Sequence, residues 1–415
     1  MKSLKWITYF LIIGVSSCAI GQPEGCTDVN AINFDGNAIL NDGSCIYPYT
    51  SYIPEKLSDL PNTVNETSGL IKLENGFWTH NDSGNSPELF LLDSLTFDVI
   101  RSVYIKSHSN IDWEELTKNE THVFIGDFGN NNGTRTNLRI LKLEKSLLLD
   151  SNIDTIEVDE ISFTYPDQTS FNSSNEHNFD CEAFIFYNDS LQLFTKHRGN
   201  EYTKHYTLPS QPGSYTAILK DSCLVEGQVT GAHIQGDSLI ALLGYRPNSF
   251  FEPFLFLLWD YEGDDFFSGN KRRVNLGTVL DMGQNEAIHF TGDYNGYITS
   301  EEITQMNKSA AIYAFGIAHL FENQLNVIEE DLLDNQSLRV YPNPNKGKMT
   351  IESDTTPIKE AFLLDQTGKI VYHRAFGSQG KNEAILKIHK IEKGSYFLQI
   401  KLVNQEMVVK KIVIN

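Results

Sequence analysis

The sequence predicts an all-β chain, built as a five-bladed β-propeller followed by a small β-sandwich, and three observations predict it. A short pattern recurs five times: Ser68-Gly69-Leu70, Glu114-Glu115-Leu116, Glu182-Ala183-Phe184, Thr230-Gly231-Ala232 and Glu286-Ala287-Ile288. Its spacings of 46, 68, 48 and 56 residues match the period of a propeller blade. A second apolar run follows each copy, as in Gly76-Phe77-Trp78, Leu191-Gln192-Leu193-Phe194 and Gly296-Tyr297-Ile298. Short β-branched or aromatic segments such as Arg139-Ile140-Leu141-Lys142-Leu143, parted by Gly, Asn, Asp and Ser, complete the strand-and-turn signature. Five copies predict five four-stranded blades; a sixth, degenerate blade is left open.

The chain opens with Lys2 and Lys5 before an apolar stretch, Trp6 to Val15, which is too short to anchor in a bilayer and reads as an export signal over residues 1–21. Two ends fit it: small-residue cleavage after Ala19-Ile20-Gly21, or a lipobox at Val15-Ser16-Ser17-Cys18 with Cys18 lipidated. No later segment has the length and apolarity of a membrane helix, so none is expected in the mature chain. Residues 22–46 form a polar loop rich in oxygen donors, among them Asp28, Asn30, Asp35 and Asp42. Such a loop suits calcium, a hard cation that takes six to eight oxygens; the plainer alternative is a polar linker without metal. Cys26 and Cys45 bracket the loop and are expected to staple it.

The repeat region runs from Tyr47 to Leu332 (residues 47–332), with a long excursion expected between Tyr165 and Asn178 and a helical period only over Ser309 to Leu320. A linker (333–337) leads to residues 338–415. This tail carries 13 Lys/Arg against 7 Asp/Glu, whereas the whole chain has a net charge of -21. The acidic balance argues against a nucleic-acid partner, whose phosphates it would repel. Alternating strands, a turn at Asp365-Gln366-Thr367-Gly368-Lys369 and a Pro-rich entry read as a small immunoglobulin-like β-sandwich.

On propeller geometry the recurring acid or hydroxyl lines a central channel. Ser68, Glu114, Glu182, Thr230 and Glu286 are expected to form a ring, joined by Asp112 and Asp180 two residues upstream, since strand side chains alternate. Carboxylates crowded in a channel need a cation, water or raised pKa values. A divalent cation, Ca²⁺, held by Glu114, Glu182, Glu286, Asp112 and Asp180 is one reading; a wet channel in which the acids cap backbone N–H groups is the other. Turns after the second strands are expected to gather Asp82, Asp127, His197, Arg198, Arg246, Glu301 and Glu302 around one mouth as ligand-binding residues. Arg198 and Arg246 suit a carboxylate or phosphate. Tight turns alone also account for the Asn and Asp residues there. No G-x-S-x-G, H-E-x-x-H, Walker A or G-x-G-x-x-G motif is present. Cys181 and Cys223 stand as a candidate second disulfide.

Three resemblances add to this. The tail carries Tyr341-Pro342-Asn343-Pro344 with a following Gly347, the Asp365 to Lys369 turn, and Lys393-Gly394-Ser395-Tyr396-Phe397-Leu398-Gln399-Ile400. It resembles the C-terminal sorting domain of type IX secretion cargo. That implies handling by the type IX machinery and release to the medium or the outer cell surface. The Gly25-Cys26-Thr27-Asp28 to Asp42-Gly43-Ser44-Cys45 stretch resembles a module of such secreted proteins and is similar to the calcium loops of thrombospondin type 3 repeats. Ser68-Gly69-Leu70, Asp112-Trp113-Glu114 and Asp180-Cys181-Glu182-Ala183 resemble motifs of phytase-like esterase and SdiA-regulated propellers. The expected protein binds an extracellular ligand, with a divalent cation. A metal-dependent phosphoester or ester hydrolase and a structural or adhesive surface protein are the alternatives.

Overall fold

Each recurring triplet lies in the first strand of a separate sheet. These strands are Thr67–Leu73, Trp113–Lys118, Asp180–Tyr187, Gln228–Gln235 and Gln284–Gly292. They belong to a computed structural model that describes residues 22–247, 251–321, 338–365, 369–377, 379–388, 390–404 and 407–415. The expected export signal with Cys18, and the linker, lie outside the described residues. The following apolar runs form the second strands, among them Gly76–Asn81, His122–Asp127 and Ser190–Lys196. Each pairs antiparallel with its first strand. The five first strands neighbour one another in a closed circle, the fifth against the first.

A separate apolar core seals each junction of that circle. Trp78, Trp113 and Ile125 fill the space between the first and second sheets, and Phe128, Phe184 and Tyr206 that between the second and third. Phe194, Ile240 and Phe254 follow, then Leu257, Ile288 and Tyr313, and finally Leu70, Phe77 and Ala287. A fully buried side chain of this size contributes roughly 1.5–3 kcal/mol, so strands with apolar residues on both faces are stable only inside the ring. An N-terminal strand, Glu55–Asp59, pairs with Ala311–Gly316 as the last strand of the fifth sheet. The circle is therefore closed by the two ends of the repeat region.

Three features depart from expectation. The first, second and fourth sheets carry a fifth, short parallel strand: Thr155–Ile156, Gly213–Thr216 and Thr50–Ser51. The stretch expected to be helical is the strand Ala311–Gly316 and a short 3-10 turn, Ala318–Leu320; pairing with Asn295–Glu301 overrides its local periodicity. Cys181 and Cys223 are free thiols. Their strands stand at opposite edges of the third sheet, roughly 14 Å apart at about 4.8 Å per strand step, too far for a disulfide.

Cys26 and Cys45 form the expected disulfide, with Cα atoms 4.7 Å apart. The module they close packs Tyr47 against Trp259. In the tail, Leu338–Tyr341, Lys348–Ser353 and Glu383–Lys387 form one sheet. Ile358–Leu364, Ile370–Ala375, Gly394–Leu402 and Met407–Ile414 form another. Ile351, Leu363, Leu398 and Ile412 share their core. No helix among the described residues is long and apolar enough to cross a membrane.

Candidate functional site

The triplets coincide with β-bulges. Register between first and second strands shifts at Ser68/Leu70, Cys181/Ala183, Val229/Gly231 and Asn285/Ala287, and across the Trp113–Leu116 segment of the second sheet. A bulge leaves a residue outside the ladder and re-aims its side chain. Glu114 and Glu182 lie where the register shifts, and they belong to a convergent set of acids. Carboxylate oxygens of Asp82, Asp112 and Glu114 lie within 4.8 Å of one another, and so do those of Glu114, Asp180 and Glu182. Glu114 belongs to both groups. Gly129 permits this approach: a Cβ there would stand 2.0 Å from Glu114 Oε1 and 2.6 Å from Asp112 Oδ2.

The two groups differ in charge balance. Lys196 Nζ donates to Glu182 Oε1 at 2.6 Å and Arg198 Nε to Asp180 Oδ2 at 2.7 Å. The Asn130 N–H donates to Asp180 Oδ1 at 2.7 Å. The Asp180–Glu182 side is thus largely neutralised. Burial and neighbouring acids push Glu182 upward, while the Lys196 ammonium pulls it down; the contact of Lys196 with both carboxylate oxygens favours the ionised pair. Burial opposes the charge on Lys196, but the Glu182 carboxylate outweighs it and holds the ammonium well above its ordinary range. Asp112 and Glu114 have no such partner, and no hydrogen bond to either carboxylate is present among the described residues. Burial, then Asp82 and Asp180, push Asp112 up to about 7. Burial, then Glu182 and Asp82, raise Glu114 well above the carboxylate range. Glu286 is raised to about 8 by burial and Glu301, and Glu301 to about 7 by burial and Asp82. A set of hard oxygen donors without a balancing cation fits a divalent ion such as calcium.

The expected channel ring and mouth do not stay separate. Asp82, Arg198 and Glu301, assigned to the mouth, join the channel acids. Asp127 does not: fully buried, its carboxylate is clamped by Arg135 at 3.0 Å and Arg139 at 2.8 Å. His197 is buried and bonded to Asn200 at 2.7 Å. Arg246 pairs with Glu226, and Asn65 donates to Glu302 at 3.0 Å. Each of these four already has a partner within the protein. The hydroxyls of Ser68 and Thr230 donate to the backbone carbonyls of Glu114 and Asn285 and brace neighbouring sheets.

The Asp/Asn loop is also built differently from a cation cage. Asp28 Oδ1 accepts from the Asn30 N–H (2.8 Å) and Oδ2 from the Tyr47 hydroxyl (2.7 Å). Asp35 and Asp42 accept from the backbone N–H groups of Asn37 and Ser44, each at 2.9 Å. These are Asx turns, and no three carboxylates of this loop converge among the described residues.

Two functional residues escaped the sequence reading. Lys196 is the counter-ion just described. Glu115 is wholly buried, and its carboxylate accepts from the N–H groups of Leu116 (2.8 Å), Leu70 (3.2 Å) and Ala232 (3.2 Å). It therefore ties together the first strands of three sheets. The signal was present: the middle triplet position is Gly69, Ala183, Gly231 or Ala287 in the other copies. Those small residues leave room for the one long side chain.

Residues 339–415 match the family described as the secretion system C-terminal sorting domain. The tail thus marks the chain for the type IX machinery and for the cell surface or medium. No curated protein is similar to this chain in sequence. Solved structures that it resembles include the extracellular domain of a protein described as a one-component system from B. thetaiotaomicron, at 11% identity and TM-score 0.31, over 94% of this chain and 64% of that one. The chain thus covers just under two thirds of that relative. A quinoprotein alcohol dehydrogenase-like protein from B. thetaiotaomicron matches at 11% and 0.30, over 79% and 68% of the two chains. An exo-β-1,3-galactanase from Phanerochaete chrysosporium matches at 9% and 0.40, over 87% and 93%. Likeness at this level says nothing of activity or substrate.

Proposed function

We propose that this protein is an exported five-bladed β-propeller, delivered by an immunoglobulin-like sorting tail, that holds one divalent cation at the axis of its ring and uses that end of the ring to bind an extracellular ligand. The domain limits follow the sequence reading: a loop module over 22–46, a propeller over 47–332 and a tail over 338–415. The observation that carries the cation is the convergence of Asp82, Asp112 and Glu114 within 4.8 Å, with no ion pair to Asp112 or Glu114 among the described residues. Two oxygens bound to one calcium at roughly 2.4 Å lie at most about 4.8 Å apart. Three carboxylates this close cannot all ionise unless a cation joins them. Lys196 and Arg198 already serve the Asp180–Glu182 side, so the ion belongs on the other side of Glu114, next to half-buried Asp82.

The test is metal content of the purified chain, with melting in calcium and in EDTA. We expect one calcium per chain and a melting temperature that falls on chelation, since a ligand at 100 times its Kd stabilises by about 2.7 kcal/mol. E114Q and D112N should lose both the metal and the shift. A chain with no metal, melting alike in calcium and EDTA, would overturn the assignment. Turnover of a phosphoester panel by the loaded chain, abolished in E114Q, would move the reading to a hydrolase.

A further inference from the structure

A second cavity, remote in sequence from the axial acids, lies where the disulfide-closed module meets the fourth and fifth sheets. It has a volume of about 450 Å³ and is lined by Trp259, Tyr294 and Phe321 together with Asp28, Asp260 and Asn270, a size within the ~300–1,000 Å³ of small-molecule sites. The aromatic wall is ordered. Tyr294 stacks on Phe321 with centroids 4.7 Å apart and planes at 20°, and Trp259 meets Phe321 edge-on at 5.2 Å. All three rings remain partly exposed at the cavity.

Tyr294 sits in a hairpin turn at φ 61°, a conformation that bulky side chains rarely adopt. Its N–H donates to Gln235 Oε1 at 2.8 Å, which holds the turn. The polar wall is equally specific. Asn41 Nδ2, from the disulfide module, donates to Asp260 Oδ2 at 2.8 Å and to Asn270 Oδ1 at 3.0 Å. Asn270 is only 1% exposed, and among the described residues its amide NH₂ donates no hydrogen bond.

We infer that this cavity binds a neutral saccharide unit. A pyranose has a flat C–H face that lies on an aromatic ring and a rim of hydroxyls that both donate and accept. The cavity lining supplies both kinds of group: the rings of Trp259, Tyr294 and Phe321, and the polar side chains of Asp28, Asp260 and Asn270. The carboxylates, within a chain of net charge -21, exclude uronic and sulfated sugars by repulsion. The site is independent of the axial cation and needs both the module and the sheets, which gives the module a role beyond linking.

The full chain is titrated in calcium, with intrinsic tryptophan fluorescence as readout, against cellobiose, laminaribiose, β-1,4-galactobiose and chitobiose, each to 20 mM. Saturable binding of at least one, weakened tenfold or more by Y294A and fivefold or more by D260N, is the expected result. D260N keeps the φ of 57° at that position, which Asn tolerates, so an unchanged melting temperature separates lost binding from lost fold. No saturable binding by any of the four, or binding undiminished in both variants, overturns the inference. Saturable disaccharide binding by a chain that holds no calcium would overturn the cation assignment alone, so the two failures are distinguishable.

Discussion

Glu115 accepts hydrogen bonds from three different first strands, so its removal strands buried donors in three sheets at once. Each unsatisfied buried group costs about 1–3 kcal/mol, and E115A should therefore lose about 3 kcal/mol or more in urea unfolding. A loss below about 1 kcal/mol would show that water replaces the carboxylate. Titration acts at the same scale and in two directions. Burial keeps His80 at about 4, and His205 and His233 at about 3. Their folded values lie below the unfolded value near 6.5, so the unfolded chain binds more protons and stability falls as pH drops from about 6.5 towards 3. Asp112, Glu286 and Glu301 are raised to about 7, 8 and 7. For them the folded chain binds more protons, and stability is lost as pH rises from about 4 through 7 to 8. In EDTA the two effects oppose each other between about pH 4 and 6.5, and the melting temperature should peak within that range. Calcium should reduce the loss on the alkaline side, through Asp112, and leave the acid side unchanged. An alkaline limb that is the same with and without calcium would count against the cation site.

Among the elements, the strand Glu55–Asp59 has the most leverage for its size. It is the only partner of the outer edge of Ala311–Gly316 among the described residues, and it joins the start of the repeat region to its end. An uncovered edge strand exposes a row of unpaired N–H and C=O groups. Deleting residues 55–59 should remove hydrogen-exchange protection from residues 311–316 and promote association of the chain. Unaltered protection there would mean that the ring closes through its first strands alone. The bulges are the other decisive elements. In a regular ladder, alternation would send Glu182 and Glu286 to fixed faces by residue count; the bulges at Cys181/Ala183 and Asn285/Ala287 take them out of that alternation.

For the whole molecule, charge divides as the parts do: an acidic body, and a tail in which 13 Lys/Arg exceed 7 Asp/Glu. The two meet in one described place, where the Tyr49 N–H donates to Gln399 Oε1 at 2.6 Å and the Tyr49 ring stacks on Phe362 at 4.8 Å. Much of this organisation was legible in the chain itself. The five triplets mark the five first strands because the same bulge recurs in each sheet, and recurrence is a one-dimensional signal. The tail is recognisable because its turns demand particular residues at particular spacings. The Cys26–Cys45 disulfide follows from two cysteines bracketing one short loop. What only the tertiary structure decided is which side chains meet. Asp82 and Glu301 reach Asp112 and Glu286 from the ends of other strands, Asp127 turns away to Arg135 and Arg139, and Glu115 crosses to sheets far along the chain. Those outcomes depend on bulge geometry and, for Glu115, on contacts with residues 45 and 117 positions away, which no repeated triplet encodes.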